Sequence, residues 1–373
     1  MKSTPPVNLL DRVISADREM DMPLHAQVRR ALKALIDEHF EDGQKFWTEA
    51  ALAEYINVSQ ITIRRALADL AREGVLERKV ARGTIVRKHA PVTEFSVVGV
   101  FAPDWMSPGL ARVCDKFEEL CHAKGRKLNL YYTHRGERAA HAFEMLVNPP
   151  EAERLVLYGN PPDITLEIGN ALTARGYRFV TIDTIHPDQV APYIATDETF
   201  AMNSALKHLM ALGHRRIALL VNEPNTATSI VNRVIAFKSL TRSNGLTEAF
   251  VADCETQHWE NSHEAAYNYM PRLWDSEPHP TAIIATSDVG AYAAIKWFTQ
   301  RGICLPGQVS VMGFDEDLAG TYMTPTLTTV RSSASDHAAL AIEVLEAPLD
   351  ISARRSSHPE VIVRESTAPP PAE

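Results

Sequence analysis

Cysteine is scarce in this chain of 373 residues, and its spacing argues against the special roles of the thiol. The four cysteines, Cys114, Cys121, Cys254 and Cys304, form no C-x-x-C pair of the kind used in zinc and redox centres. Cys114 and Cys121 are spaced to lie on one face of a helix. We therefore interpret all four as buried thiols and expect neither a metal nor a cofactor.

Long apolar runs are also missing, and this absence bears on location. The first 21 residues mix Lys, Pro, Asp and Arg, and no window approaches the roughly 18 uninterrupted apolar residues of a membrane span. Neither a signal peptide nor a membrane segment is predicted. We expect a cytoplasmic protein with no membrane partner.

The common catalytic motifs are absent as well. The chain has no G-x-S-x-G elbow, no Walker loop and no G-x-G-x-x-G after a strand, and His263-Glu264 lacks the second histidine of H-E-x-x-H. The sequence therefore argues against an enzyme.

What is present is a helix followed by a hairpin, between Ser59 and Lys88. Ser59 is a favoured helix N-cap, and the apolar residues after it repeat with helical spacing at Ile63, Ala66, Leu67, Leu70 and Ala71. The opposite face is polar and carries Gln60, Thr62, Arg64, Arg65 and Arg72. Such a helix end can enter the major groove of DNA.

A basic hairpin tip follows this helix. The apolar pairs Val75-Leu76 and Ile85-Val86 flank the tip RKVARG at 78–83, where Gly83 can adopt positive φ. Residues 59–90 contain eight Lys/Arg and three Asp/Glu, a local charge of +5 within a total of −9. A charged helix face is often only solvated, but this asymmetry favours DNA binding. The pattern is typical of a winged helix-turn-helix.

Two further helices complete the motif and carry a family resemblance. One begins at Pro23, and a second, which Thr48 can cap, ends at Asn57-Val58. The segments PLHAQVRRALKALI and LAEYINVSQITIRRALADLAREGVLERKVARGTIV resemble the DNA-binding domain of the GntR family over residues 22–88, after a polar lead at 1–21. The resemblance implies double-stranded operator DNA as a partner. The implied contacts are Ser59, Gln60, Thr62, Arg64, Arg65, Arg82 and Gly83.

The chain departs from that family at three positions. Ala50 and Gln60 stand where the family usually has Arg, and Ala81 stands where the wing usually has Gly. Phosphate or base contacts are therefore changed, and we expect an operator that differs from the common half-site.

After a linker at 89–94, the pattern changes to apolar strands alternating with amphipathic helices. This alternation predicts an α/β fold with parallel sheets covered on both faces. The predicted strands are 96–102, 128–132, 155–158, 179–182, 217–221, 282–285 and 309–312. So many units exceed one core, and we expect two lobes within 95–373, roughly 95–193 and 194–323, with crossovers near 193 and 323–331.

A second resemblance covers about residues 95–369. The segments ALKHLMALGHRRIALLVN at 205–222, the stretch 282–331 and VIVRESTAPP resemble the effector-binding and dimerisation core of LacI/GalR repressors, which is similar to type I periplasmic sugar-binding proteins. A GntR-type reader joined to a LacI-type sensor is the arrangement of arabinose-responsive repressors of the AraR type.

The resemblance and the strand ends together indicate an effector site. Ligands of open parallel sheets sit beyond the carboxyl ends of the strands, where Asp183, Ser287 and Asp315 fall. The family motif adds Arg233, and on weaker alignment Trp105 and Trp259 are candidate platforms for a sugar ring. An Asp at a strand end is also often a helix cap, and a Trp is usually core. Ser287 and Ala236 stand where the family often has Asn and Gly.

The sequence thus predicts a DNA-binding transcriptional regulator, a repressor, controlled by a small sugar-like effector bound between two lobes. We expect a homodimer held by its sensor domains, in which ligand binding changes the spacing of two winged helices. Residues beyond 90 carry a net charge of −11 against +2 for residues 1–90, which discourages non-specific DNA contact by the sensor. The alternative is a small-molecule binding protein without regulatory DNA contact.

Overall fold

The computed structural model describes residues 23–79, 83–87, 94–103, 108–133, 152–186, 188–189, 191–275, 278–331 and 334–371. These residues divide into two compact units. The first unit takes the described residues of 1–94 together with those of 190–192 and 344–353, and the second takes the remainder.

Three helices form the body of the first unit: α1 (Leu24–His39), α2 (Glu49–Ile56) and α3 (Gln60–Arg72). Thr48 caps α2 by accepting a hydrogen bond from the Ala51 amide, and Asn57 ends α2 in the left-handed conformation, with φ 56°. Only Asn57, Val58 and Ser59 separate α2 from α3, so the two helices form a tight helix-turn-helix. The apolar stripe predicted for α3 is buried at Ile63, Ala66, Leu67 and Leu70.

The wing is the antiparallel pair β1 (Leu76–Lys79) and β2 (Gly83–Val86), in the register Leu76↔Val86 to Lys79↔Gly83. Residues before α2 extend this sheet, because the Phe46 amide donates to the Thr84 carbonyl and Lys45 bridges to Ile85. The sequence analysis did not anticipate this added segment.

A buried charge cluster fixes the end of α3. Glu73, the C-cap residue, forms an ion pair with Arg29 of α1, and Lys33 Nζ lies 2.9 Å from the second Glu73 oxygen. Asp350, from the 344–353 segment of the same unit, lies 3.5 Å from Arg29. Arg29 and Glu73 are both buried, so each charge needs the other to offset its desolvation.

The second unit contains two sheets, which we call the first and second lobes. The first sheet has the order β13-β7-β6-β5-β3-β4, and its strand pairs are parallel. Its strands are β3 (Val97–Pro103), β4 (Lys127–Thr133), β5 (Arg154–Tyr158), β6 (Arg178–Ile182), β7 (Tyr193–Thr196) and β13 (Arg354–Ser357). Helices α4 (Pro108–Ala123) and α5 (Pro162–Ala174) connect its early strands.

The second sheet has the order β14-β12-β11-β10-β8-β9, with only the β12/β14 pair antiparallel among the described pairs. Its strands are β8 (Ile217–Val221), β9 (Phe250–Asp253), β10 (Ala282–Ala285), β11 (Ser310–Phe314), β12 (Thr328–Arg331) and β14 (Glu360–Ile362). The helices along this part of the chain are α6 (Glu198–Ala211), α7 (Thr228–Ser243), α8 (Ser262–Trp274), α9 (Asp288–Gln300) and α10 (Ala334–Glu346), with a 3₁₀ helix at Leu318–Thr321.

The chain crosses between the lobes at slightly different places from those expected. The first sheet keeps β7, so the first crossing falls after Thr196 rather than near residue 193. A third crossing was not predicted: β13 returns to the first sheet before β14 joins the second. The reason is that β13 reads RRSS, a polar edge strand without the apolar alternation that identifies strands from sequence.

The structure also bears on the expectations for the cysteines and for membrane-spanning segments. Cys121 is buried, but Cys304 is exposed and Cys114 and Cys254 are half-buried, so the interpretation of all four as buried thiols was wrong. No helix in the described part of the chain has the length and apolar character that crossing a membrane requires.

Candidate DNA-reading surface and ligand cleft

Ser59 and Thr62 lie at the tip of α3, where sequence analysis placed DNA contacts. Ser59 accepts a hydrogen bond from the Thr62 amide at 3.2 Å, and the two hydroxyl groups are 2.8 Å apart. Ser59 is therefore the N-cap of α3, as its position predicted.

One carboxylate joins the helix and the wing. Glu49, the first residue of α2, accepts a bond from Arg64 Nε at 3.1 Å and one from Arg78 Nη2 at 2.7 Å. Both arginines remain exposed. The pairing holds two basic groups from distant segments on one surface, although it also competes with a phosphate for them.

The remaining residues of this surface are exposed. Gln60, Ile61 and Arg65 all face solvent, and so does Ala50, which stands where Arg is usual in the GntR family. Gly83 begins β2 with φ 83°, the conformation expected of it. Arg82 and Ala81 lie outside the described residues.

The candidate ligand cleft lies where the carboxyl ends of strands β6 and β11, one from each lobe, are connected by interlobe contacts. Asp183 follows β6 of the first lobe, and Asp315 follows β11 of the second. Burial raises the pKa of the Tyr158 phenol well above its usual range, and the charges of Asp183 and Asp315 raise it further. Tyr158 ends β5 and pairs in register with Ile182 of β6, the residue before Asp183.

Asp315 and Glu316 meet a cation from the opposite lobe. Arg112 of α4 donates from Nη2 to the Asp315 carbonyl and from Nη1 to the Glu316 carbonyl, both at 2.5 Å. These two residues have positive φ, 114° and 58°, which is uncommon for residues other than glycine. Their backbone thus turns two successive carbonyls towards one guanidinium group. Ile185 and Thr228 make a second interlobe contact, from the Ile185 amide to the Thr228 hydroxyl at 3.3 Å.

Burial raises the pKa of Asp315 well above its usual range, while Arg233 opposes the shift. The alternative reading of Asp315 as a helix cap is not what the structure shows. Asp317 caps the following 3₁₀ helix instead, through the Ala319 amide.

Arg233 of α7 is fixed by contacts within the second lobe. Its Nε and Nη2 donate to the two oxygens of Glu198 at 2.7 and 3.1 Å, and Nη1 donates to the Thr286 carbonyl at 2.5 Å. The guanidinium carbon lies 4.4 Å from the centre of the Phe314 ring. Burial lowers the pKa of Arg233, but Glu198 more than offsets this, and the net pKa is raised. Arg233 therefore remains charged and fixed beside Asp315.

The Ser287 hydroxyl forms hydrogen bonds within the second lobe. Its oxygen caps α9 by accepting from the Gly290 amide, accepts from Asn222 Nδ2 at 2.7 Å and donates to Glu223 at 2.8 Å. A hydroxyl group has one donor and two acceptor sites, so these contacts fill it. The carboxylate that it holds is Glu223, which is half-buried and whose pKa desolvation raises.

Asp288, next along the chain, is buried under the cleft. Its two oxygens accept from the Thr329 hydroxyl at 2.6 Å and from the Asp317 amide at 2.7 Å. Burial raises its pKa from 3.8 to about 7, against the effect of these hydrogen bonds. A Cβ at Gly313 would come within 2.2 Å of its Oδ1 and 3.1 Å of its Cα, so a larger residue at 313 would displace the Asp288 side chain.

The two candidate tryptophans have different outcomes. Trp259 is half-buried, with φ 66°, and its ring stands edge-on to His258 at 6.0 Å. His258 in turn lies 3.0 Å from the Thr226 hydroxyl, just before α7. Trp105 lies outside the described residues.

Sequence reasoning missed four residues of this site: Arg112, Tyr158, Glu198 and Glu223. Tyr158 and Glu223 carried a usable signal, because each stands at or just past the end of an apolar strand. Arg112 and Glu198 lie on helices, and their partners are 203 and 35 residues away along the chain, so no local pattern could have found them.

Comparison with known proteins accounts for both units. Residues 24–86 match the family of bacterial regulatory proteins called gntR, and residues 206–367 match the periplasmic binding protein-like domain. The arabinose metabolism transcriptional repressor of Geobacillus stearothermophilus is 24% identical over 94% of this chain and 99% of its own length. The regulator reg1 of Streptomyces lividans is 30% identical over 62% of this chain and 68% of its own length.

Solved structures agree on the fold of the second unit. A LacI transcriptional regulator from a Rhodococcus species has 22% identity and a TM-score of 0.63, and the match covers 73% of this chain and 98% of that one. The family and sequence matches show a regulator, and neither an enzyme nor a binding protein without DNA contact. The chain belongs to the helix-turn-helix transcriptional regulators, as a ligand-controlled DNA-binding protein that joins a GntR-type domain to a periplasmic-binding-protein-like domain of the LacI kind.

Proposed function

We propose that the effector is a hydroxyl-rich molecule without negative charge, most simply a sugar, bound between Asp183 and Asp315. The observation that carries this proposal is the position of the two aspartates at strand ends of different lobes, where Arg112 of the first lobe donates to the Asp315 carbonyl of the second at 2.5 Å. Carboxyl oxygens accept hydrogen bonds, and a protonated carboxyl group also donates one, so either form can pair with neighbouring hydroxyl groups. A ligand that bridges both carboxylates would connect the two lobes.

The charge of the cleft restricts the effector further. Asp183, Glu198, Glu223, Asp288 and Asp315 contribute five acidic groups, against the two cations Arg112 and Arg233. Glu198 already neutralises Arg233 at 2.7 Å. Burial raises the pKa of four of these carboxyl groups, because negative charge is costly in this region, and a phosphate or carboxylate on the ligand would add more of it. Sugar phosphates and sugar acids are disfavoured.

The other predicted residues enter this proposal with different roles. Arg233 offers its remaining donor capacity beside Asp315, while Ser287 acts through the Glu223 carboxylate that it holds. Trp259 is the candidate platform for a sugar ring because its half-buried ring leaves area for stacking. Trp105 stays a prediction of the sequence.

On the DNA side, we assign operator contacts to Ser59, Gln60, Thr62, Arg64 and Arg65 of the α3 surface, and to the wing tip with Arg82 and Gly83. A homodimer would place two such surfaces on a roughly twofold operator, because operator symmetry mirrors protein symmetry. Such a regulator works where the DNA is, so we place the protein in the cytoplasm.

Asp315→Asn tests the effector site separately from the DNA surface. Neutral sugars are first screened by thermal shift, since a ligand that binds only the folded state raises its stability. The Asn side chain keeps the shape but replaces one carboxyl oxygen by an amino group, so a ligand hydroxyl that donates to that oxygen loses a hydrogen bond worth roughly 1 kcal/mol and meets a second donor instead. We expect an unchanged ligand-free operator affinity and a loss of ligand-induced change in operator binding.

The matched control is Asp163→Asn, whose carboxylate is 98% exposed in the first lobe and should leave the response intact. A folded Asp315→Asn protein that responds to the sugar as the wild type does would remove Asp315 from the site. Binding of sugar phosphates in preference to neutral sugars would contradict the charge argument.

A further inference from the structure

Ile61 stands out on the DNA-reading surface because it is apolar and almost fully exposed. Its relative exposure is 76%, the highest of any large aliphatic side chain in the described part of the chain. It contributes little to the core of the first unit, which packs Ile63 and Leu67 from the same helix. Isoleucine is also β-branched and therefore a modest helix former. Neither packing nor helix propensity explains this residue.

The position of Ile61 in α3 is specific. It is the second residue of the helix, and the exposed residues that follow with helical spacing are Arg64, Arg65, Ala68 and Arg72. Ile61 therefore begins the exposed stripe, one turn before the two arginines. In helix-turn-helix proteins, the residues at the N-terminal end of the recognition helix reach the base edges.

The side chains around Ile61 differ in their availability to DNA. The hydroxyls of Ser59 and Thr62 pair with each other at 2.8 Å, and Arg64 is held by Glu49. Gln60 and Ile61 are adjacent and exposed at the tip. An amide next to an apolar side chain is thus the chemistry that this helix end presents first.

We propose that Gln60 and Ile61 together read A·T base pairs in the major groove, and that Ile61 does so by contacting the C5-methyl group of thymine. Thymine alone among the four bases presents a methyl group there, and glutamine can pair with the N6 and N7 atoms of adenine. An arginine at residue 60 would instead favour guanine. The assignment rests on the proposed placement of α3 in the groove.

The experiment uses the full chain and a duplex selected from a random pool by repeated binding. In the enriched duplex, each thymine is replaced in turn by deoxyuridine, which lacks only the C5-methyl group, and affinity is measured by fluorescence anisotropy. We expect one thymine in each half-site at which the replacement weakens wild-type binding about fourfold, the effect of losing one buried methyl group. Ile61→Ala should bind the two duplexes equally.

Two variants serve as controls. Ile61→Val keeps a branched apolar side chain and should retain most of the thymine preference. Leu24→Ala removes another exposed aliphatic side chain, at the start of α1, and should retain all of it. Ile61 is exposed, so Ile61→Ala is expected to stay folded, and its circular dichroism melting curve checks this.

The adenine contact has its own test. Replacing the selected adenines by 7-deaza-adenine removes the N7 acceptor and should weaken the wild type but not Gln60→Ala.

The outcomes separate this inference from the proposed function. A uridine effect of the same size in wild type and Ile61→Ala would overturn the role of Ile61 while leaving sequence-specific DNA binding in place. Selected half-sites without a methyl-sensitive thymine would do the same. Failure to enrich any duplex would overturn the placement of α3 on operator DNA, and this inference with it.

Discussion

Asp288→Asn should flatten the pH dependence of stability in the second unit. Asp288 is buried, and its folded-state pKa of about 7 lies above the ordinary value of 3.8. A raised pKa means that the folded state binds the proton more tightly than the unfolded state. This contribution to stability is therefore complete below about pH 4 and is lost as the pH rises through about 7.

The expected size follows from the two pKa values. Between pH 5.5 and 8.5, deprotonation of Asp288 should lower the free energy of unfolding by about 2 kcal/mol. Asparagine resembles the protonated acid, because its oxygen can face the Asp317 amide while its amino group faces the Thr329 hydroxyl. Between the same two pH values, the free energy of unfolding of the variant should therefore fall by about 2 kcal/mol less than that of the parent protein. The other acids of the cleft contribute equally to both proteins and cancel in this comparison.

The assay is denaturant unfolding at the two pH values, followed by tryptophan fluorescence. Of the five tryptophans, Trp47 alone belongs to the first unit, so a Trp47→Phe background restricts the signal to the second. Asp163→Asn, an exposed acid, should behave as the parent protein does. Equal pH dependence in the parent and in Asp288→Asn would refute the reasoning.

Two further perturbations follow from the same contacts. Arg112→Ala removes both interlobe hydrogen bonds to the Asp315 and Glu316 carbonyls. A hydrogen bond from a charged donor is worth roughly 1.5–3 kcal/mol, so we expect effector affinity, measured by calorimetry, to fall at least tenfold. Arg112→Lys should recover only part of this, because an ammonium group lacks the planar fork, and full affinity in Arg112→Ala would count against the contact. Glu49→Gln removes a charge that competes with phosphate for Arg64 and Arg78 and that repels DNA. Glu49→Gln should raise the affinity for non-specific duplexes severalfold at low salt and lower the ratio of specific to non-specific affinity. An unchanged ratio would show that Glu49 does not position the two arginines.

Local signals made the first unit largely predictable. Helix α3 follows from its apolar period and from Ser59, because capping and amphipathic packing involve residues at most one or two turns apart. The third segment of the wing sheet, around Lys45, escaped prediction. It pairs with Ile85 across 40 residues and has no strand pattern of its own.

The cleft shows where motif matching and physical chemistry diverge. The family motif assigned Ser287 to the effector, whereas in the structure its side chain caps α9. Sequence analysis missed Glu198 and Glu223 because their roles depend on contacts with Arg233 and Ser287, respectively, which the sequence does not reveal. Such pairs form only when two segments fold together, so their existence is a property of the tertiary structure.

The strand ends of the cleft carry strain that points to how a ligand could act. Asp183, Asp315 and Glu316 all have positive φ, a conformation that costs non-glycine residues of order 1–3 kcal/mol each. Backbone bonds hold the first two in place, from the Asp183 amide to Ile194 at 2.9 Å and from the Asp315 amide to Val330 at 2.8 Å. Glu316 is held through its side chain by Arg331 and Arg364. A molecule that bonds both aspartates therefore meets a backbone already fixed in each lobe. What can still change is the distance between the two lobes, which the Arg112 contacts also restrict. Effector binding should therefore change this distance more than the shape of either lobe.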